Sequence, residues 1–453
     1  MNAKLVIKPI LAYSTSVRKE ATSWRPWGGI QTEADAVKEE AHINAELSAL
    51  NLDFPVKILP LSLVKNLDQA RSVQLDGVDL VIIYGATGDT ELIRSFISEK
   101  RWTILFLRHK SGPLYPYYEF AHAFLLRRWT DEVSQPGIGL DDVVVDDYDE
   151  LVKKIRALNG LKGALGRKVV VVGGPSSLFY GQAAADRAKE RWGIEIKTVP
   201  YEPDLGDRIK KKMEDPSAVE RAKELAQNYL SSNQIKLSTK NEFVINAFIL
   251  YQVFEDLLNE AGADAITINE CMTTIIPMAR TTACLPLSLL NDEGKIAVCE
   301  GDLVSLPAFS LLHEISNRPV FLNDPTFPHN GVVTVAHCTS PTMLNGKDRE
   351  RTNLVTHYES DFGAAPKVEF EKGQEVTVLD ADFGEKIWVG FKGKVVESTA
   401  YPTCRSQMDI EIEGDWKKLL SEMRGFHWVL VYGDFLDEAE YALKKVGIEL
   451  RRI

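Results

Sequence analysis

No apolar run in this chain approaches the roughly 20 residues needed to cross a bilayer, which argues against a membrane partner. Cysteine is scarce. The five residues (Cys271, Cys284, Cys299, Cys338, Cys404) form no CxxC pair and no framework spacing, so a disulfide-stapled fold is not expected. An odd, small set of this kind reads as reduced, mostly buried thiols. Basic charge is not in excess either: the net charge of -12 speaks against non-specific nucleic-acid binding and suits an enzyme of small molecules. The N-terminus passes straight into Lys4-Leu5-Val6-Ile7, a strand-like run without a leader pattern, so a cytoplasmic location is expected. What is present is ordinary for a globular protein, with 45% hydrophobic and 26% charged residues. A chain of 453 residues has room for two or three domains.

The first part alternates strand and helix signals. Apolar runs at Leu5–Leu11, Val56–Leu59, Val78–Tyr84 and Trp102–Leu107 are separated by helical patterns, the clearest being Glu33–Leu50. Asp142–Val145 and Tyr148–Leu158 add a last strand and helix. Such alternation predicts a parallel sheet covered by helices. Asn159–Gly166 is rich in glycine and reads as a linker. The alternation then resumes with Lys168–Val172, the turn Gly173-Gly174-Pro175-Ser176-Ser177, and a helix at Tyr180–Arg191. Ile194–Val199, Ala265–Ile268, Ile296–Cys299, Pro319–Leu322 and Val332–Ala336 predict a second doubly wound sheet, with helices at about Ser217–Leu230 and Lys240–Ala261. After about Pro341 the pattern changes to short strands (Val368–Phe370, Glu375–Asp380, Lys386–Val389, Gly393–Ser398, Met408–Ile412), as in a small barrel or sandwich. An αβ piece ends the chain, with strand Trp428–Tyr432 and helix Asp434–Val446. The expected architecture is α/β: two doubly wound domains, 1–162 and 163–345, and a β-rich domain, 346–453.

Chemistry concentrates between Val298 and Cys338. Glu300, in Cys299-Glu300-Gly301-Asp302, closes one apolar run, and Asp324, in Val320-Phe321-Leu322-Asn323-Asp324, closes another. Carboxylates at neighbouring strand exits converge on the crevice where open α/β sheets bind ligands. Joined by a histidine, they make a hard-metal site. The candidate histidine is His427, held just before a strand. Competing roles exist for each. Asp302 suits a helix N-cap, and Asp324 before Pro325 suits a turn. Asn323 serves in place of Asp324 if the turn rotates. His337 ends a strand beside Cys338. Adjacent strand residues face opposite ways, so a Cys–His catalytic pair is not expected and His337 reads as lining the site. His357 stands in a polar loop that suits a surface position, and His109, His122 and His313 read as ordinary core or surface residues. The Gly173–Ser177 turn lacks GxGxxG and the P-loop lysine, so a tight turn is preferred over a phosphate cradle.

The segments Ile296–Asp302 and Pro319–Asp324, with Gly425-Phe426-His427-Trp428, resemble the metal-dependent aldose–ketose isomerases of the L-fucose isomerase / L-arabinose isomerase family. The order of domains matches along essentially the whole chain, although the chain is shorter and its motifs looser. The resemblance implies two Rossmann-like domains followed by a β-rich domain. It implies a metal bound by Glu300, Asp324 and His427, the family's interval favouring Asp324 over Asn323. It further implies Mn²⁺ (or Mg²⁺ or Co²⁺), and isomerisation of a pentose or deoxyhexose of L-fucose, D-arabinose or L-arabinose type through a cis-enediol. Glu300 and Asp324 share the acid and base duties in that chemistry, with the assignment open. His357, His337 and Arg405 are then sugar contacts, Trp24 and Trp27 cover a sugar face, and the protein is a homo-oligomer, trimer or hexamer. Two rival readings are a different sugar or sugar-acid isomerase or epimerase, signalled by a basic residue (Arg280, Arg405 or Lys347) at the centre, and a non-catalytic sugar-binding protein.

Overall fold

The structure is a computed structural model, and it describes all residues except 1–4, 89, 117–125, 127–134 and 385. His122 lies outside the described residues. The chain divides into two compact units, Met1–Asn159 and Gly160–Ile453. Among the described residues no helix is long and apolar enough to cross a membrane.

The first unit is built on a parallel sheet. Its strands are β1 (Leu5–Ala12), β2 (Val56–Ile58), β3 (Ser62–Val64), β4 (Leu80–Gly85), β5 (Trp102–Leu107) and β6 (Val143–Val145). They lie in the order β2-β1-β4-β5-β6, with β3 also on β1. Every residue of β4 is buried, as expected of a parallel strand covered on both faces. The helix Glu33–Ala49 starts at a capping box, Thr32 and Asp35 each satisfying the other's backbone N–H.

The second unit holds β7 (Lys168–Val172), β8 (Glu195–Val199), β9 (Ile235–Leu237), β10 (Ala265–Ile268), β11 (Ile296–Val298), β12 (Phe321–Pro325) and β13 (Val332–His337). It continues with β14 (Thr352–Val355), β15 (Ala365–Val368), β16 (Glu375–Asp380), β17 (Ile387–Glu397), β18 (Ser406–Glu413), β19 (Trp428–Tyr432) and β20 (Glu449–Arg452). β11, β10, β7 and β8 form a four-stranded parallel sheet in that order. β7 leads to β8 on one side and the chain later returns to β10 on the other, so the strand order reverses there. The carboxyl ends beside such a reversal are where this kind of sheet binds ligands.

Three expectations from the sequence are corrected. First, Asn159–Gly166 is not a linker: the helix that starts at Tyr148 continues to Ala164. Its glycine is there for close packing, since a Cβ on Gly160 would meet Ile315 Cγ1 at 2.3 Å. Second, β12 and β13 do not join the parallel sheet. They pair antiparallel with each other and with β19 and β18. The physical reason is the short connection between them, because a parallel pair needs a crossover of about a dozen residues. Third, Lys386–Val389 and Gly393–Ser398 are one strand. Gly393 sits inside β17, where a Cβ would lie 2.6 Å from the Glu411 carbonyl oxygen of the paired strand. Glycine here marks close approach and not a turn.

Strands β16-β19-β12-β13-β18-β17 run round in antiparallel pairs, and β17 returns to β16, closing a six-stranded barrel. β20 adds to β17 outside this ring. Alternate residues, among them Val333 and Val335, Val376 and Val378, Met408 and Ile410, and Trp428 and Leu430, fill its core. A separate small sheet joins β9, β14 and β15.

Trp428 is fully buried and packs edge-on against Phe391, 5.6 Å between ring centroids. Trp428→Ala is expected to cost about 3–5 kcal/mol in urea unfolding. A loss under about 1 kcal/mol would show that the barrel interior is not packed as described.

Candidate metal centre

Glu300 follows β11 in a sharp turn: it and Gly301 both take left-handed backbone, at φ 60° and 61°. Gly301 tolerates this conformation, and Glu300 is held in it. The Gly301 N–H donates to the Ile268 carbonyl at the end of β10, 2.8 Å. This turn aims the Glu300 carboxylate at two imidazoles. Glu300 Oε1 is 3.7 Å from His337 Nε2, and Oε2 is 3.5 Å from His427 Nε2. Asp324 Oδ1 lies 3.4 Å from the same His427 nitrogen. Ligand atoms of Glu300, His337 and His427 all fall within 4.8 Å of one another, which suits one ion at ordinary bond lengths of about 2.0–2.2 Å.

The barrel supplies three of these residues from adjacent strands. Asn323 pairs with Trp428, which sets Asp324 against His427 one step further along. Strand alternation then separates Asn323 from Asp324. Asn323 is fully buried with its amide on the Phe321 carbonyl, whereas Asp324 meets His427. His337 ends β13. Its ring centroid is 5.7 Å from that of His427, and its Nδ1 pairs with Thr339 Oγ1 at 2.9 Å. Cys338 faces the other way, into a small cluster with Cys284 and Cys404, so no thiol–imidazole pair forms. All five cysteines are free.

One carboxylate holds the His427 ring from behind and a second holds the turn that carries it. Asp302 Oδ2 is 2.9 Å from His427 Nδ1, and the same Asp302 accepts from the Val304 and Ser305 amides. Asp302 is not the N-cap expected from the sequence: the helix begins at Leu306 with Ser305 as its cap, and Asp302 holds the turn ahead of it while orienting the histidine. Asp380, fully buried, accepts from the Arg424 and Gly425 amides at 2.7 and 2.6 Å and fixes the turn before His427. Burial pushes the Asp380 carboxyl up to about 7, and the two amide bonds resist that. Nothing in the sequence pattern singled out Asp380; its place at the end of an apolar strand, where Asp is disfavoured, was the available signal.

The electrostatics are strained in a consistent direction. Burial disfavours charge on Glu300, but the His337 and His427 rings hold its carboxyl well below the usual range. Burial opposes the His427 cation too, yet Asp302 and Glu300 raise it to about 10. His337 is likewise raised: burial opposes its charge, and Glu300 and Asp324 favour it. Burial draws Asp324 upward against the pull of both histidines. Asp324 Oδ1, His337 Nε2 and His427 Nε2 are buried and lack a hydrogen-bond partner. Buried polar atoms in folded proteins are almost always satisfied. Unpaired carboxylate and imidazole atoms converging in this way form, once the rings are deprotonated, the donor set that a divalent cation would satisfy, so the residues fit a metal ion.

The remaining expected residues fall differently. His357 is not on the surface: it is buried, its Nδ1 lacks a partner, and burial lowers its pKa toward the neutral ring. The Arg405 guanidinium donates from Nε to the Thr356 carbonyl at 2.6 Å and lies over the Tyr358 ring, bracing the loop that carries His357. His313 pairs through Nδ1 with the Arg318 carbonyl and is structural; His109 is exposed.

Fold and site together define a mixed α/β protein with parallel sheets, a closed barrel and a cluster of two buried imidazoles and a partly exposed carboxylate able to hold a divalent ion. No family model matches the chain. Over 274 residues it is 20% identical to the sulfoquinovose isomerase of Clostridium sp. (strain MSTE9). The alignment covers 58% of this chain and 59% of that relative's length. The similarity supports a distant relationship to a sugar isomerase and does not single out the L-fucose/L-arabinose group.

Two outcomes follow for metal binding. With His427 near 10, the metal-free centre carries a proton that a cation must displace, so Mn²⁺ affinity rises with pH between 6 and 8, by about tenfold per unit for each proton released. Calorimetry in buffers of different ionisation enthalpy checks this, and a pH-independent affinity contradicts it. Asp302→Asn removes the charge behind His427 and is expected to weaken Mn²⁺ binding about 10–100-fold, with the fold intact by circular dichroism.

Proposed function

We propose that this chain is a metal-dependent aldose–ketose isomerase, moving a proton between C1 and C2 of a sugar through a cis-enediol. The observation that carries the reading is the convergence of Glu300, His337 and His427 on one point, with Asp324 against His427 and three buried atoms unpaired. The distant similarity to a sugar isomerase supports it. The close-set group has His337 where the expected trio had Asp324, and this reading keeps Asp324 as a fourth ligand because it lies 3.4 Å from His427. A divalent ion held by these four residues, Mn²⁺ or else Mg²⁺ or Co²⁺, would polarise the sugar carbonyl as a Lewis acid.

The residues themselves divide the proton transfer. Glu300 is kept ionised by two imidazoles and its side chain is 45% exposed, so it can reach a substrate C–H as base. Asp324 is drawn toward the protonated form by burial and suits the hydroxyl proton. Asp302 holds His427 through Nδ1 and Asp380 holds the turn before it, which leaves Nε2 toward Glu300 and Asp324. His357, buried and neutral beside the centre, suits a hydroxyl contact, while Arg405 acts through the loop it braces. The substrate is a pentose or deoxyhexose, or a sulfonated sugar of the kind named for the relative. A homo-oligomer, trimer or hexamer, belongs to the same reading.

The test is interconversion on a panel of pentoses, deoxyhexoses and sulfoquinovose, with EDTA-treated protein and Mn²⁺ restored. Turnover is expected to require the metal and to fall about 10²–10⁴-fold in Glu300→Gln. Metal-independent turnover would overturn the mechanism. Tight Mn²⁺ binding without turnover on any sugar would favour another metal-dependent sugar or sugar-acid isomerase or epimerase, and sugar binding indifferent to metal would favour a non-catalytic binding protein.

A further inference from the structure

The turn after β7, Gly173-Gly174-Pro175-Ser176-Ser177, contributes no ligand to the centre, yet it is bonded directly to the turn that carries Glu300. The Ser176 amide donates to the Gly301 carbonyl at 3.2 Å, and the Ser177 hydroxyl donates to the same oxygen at 3.3 Å. In return the Leu303 amide donates to Ser177 Oγ at 2.8 Å. One buried hydroxyl therefore bonds to residues on both sides of Asp302. The surfaces touch closely: a Cβ on Gly301 would lie 2.9 Å from the Ser176 nitrogen. Ser177 and Leu178 are both left-handed, at φ 46° and 56°, facing the left-handed pair Glu300 and Gly301. Two successive non-glycine residues adopt this backbone only where their surroundings require it.

A helix cap is an insufficient account of Ser177. The following helix starts at Gln182, and the hydroxyl bonds to Gly301 and Leu303, more than 120 residues away in sequence. We propose that Ser177 is a positioning residue of the metal centre: its hydroxyl clamps the 300–302 turn so that Glu300 and Asp302 reach His427 together. Glu300 meets the Nε2 face of that ring and Asp302 its Nδ1, so a shift of the turn loosens both at once. Small displacements of such groups carry large losses in rate. The effect on turnover rests on the isomerase reading; the clamp does not.

The test compares Ser177→Gly with Ser177→Ala. Glycine removes the hydroxyl while accepting φ near 46°, so the fold is retained; alanine removes the hydroxyl without adding backbone freedom. In both variants hydrogen exchange of the 299–305 segment is expected to speed up while the melting temperature changes little. Mn²⁺ binding, read by electron paramagnetic resonance, weakens about tenfold, and kcat falls about 10–100-fold with KM for the sugar little changed. Unaltered exchange and Mn²⁺ affinity in both variants overturn the proposal, as does a loss confined to the glycine variant, which would be backbone freedom. If the parent protein neither binds Mn²⁺ nor turns over, the isomerase reading fails, and exchange alone decides the clamp: faster exchange supports it and unchanged exchange overturns it.

Discussion

The hydrogen bond between Asp302 and His427 is the constraint on which the centre depends. Asp302 belongs to the turn that leaves the parallel sheet, and His427 to the turn that enters the barrel. The pair therefore joins two architectures of the same unit at one atom-to-atom contact. It also fixes which imidazole nitrogen is engaged, leaving Nε2 to face Glu300 and Asp324. A histidine anchored through Nδ1 by a carboxylate is a better metal ligand and a better-oriented one than a free ring.

That contact is useful only because both turns are rigid. On the sheet side, Glu300 and Gly301 hold left-handed backbone and the Gly301 N–H is tied to β10. On the barrel side, Asp380 gathers the Arg424 and Gly425 amides at the cost of burying a carboxyl. Closing the barrel then sets the distances. Because β19, β12 and β13 are neighbours in one antiparallel ring, His427, Asp324 and His337 arrive within a few ångströms of each other. The resulting cluster of two acids and two imidazoles is unfavourable to bury without a partner for its unpaired atoms.

Much of the framework was legible from the residues. Apolar runs located the buried strands of the parallel sheets and the barrel, because a buried strand must be apolar whatever it pairs with, but the short, partly exposed β3, β9 and β14 gave no such run. Glu300 and Asp324 were legible as acids at strand exits, and His427 as a histidine before one. The errors share a cause. Gly160 was read into a linker and Gly390 into a break between two strands, whereas both are packing positions, and glycine looks the same in both roles until its neighbours are known. β12 and β13 were assigned to the wrong sheet although their short connection already excluded a parallel pair.

Taken alone, the sequence determined the succession of elements, the strand faces and the set of acids and histidines available for chemistry, since these depend on local spacing and polarity. The tertiary structure decided which of them meet. It turned His337 inward and Cys338 away, placed Asp324 and not Asn323 against His427, gave Asp302 a second role, and buried His357. Each of those outcomes depends on distances between residues far apart in the chain. Barrel closure and sheet packing set such distances, and no local pattern encodes them.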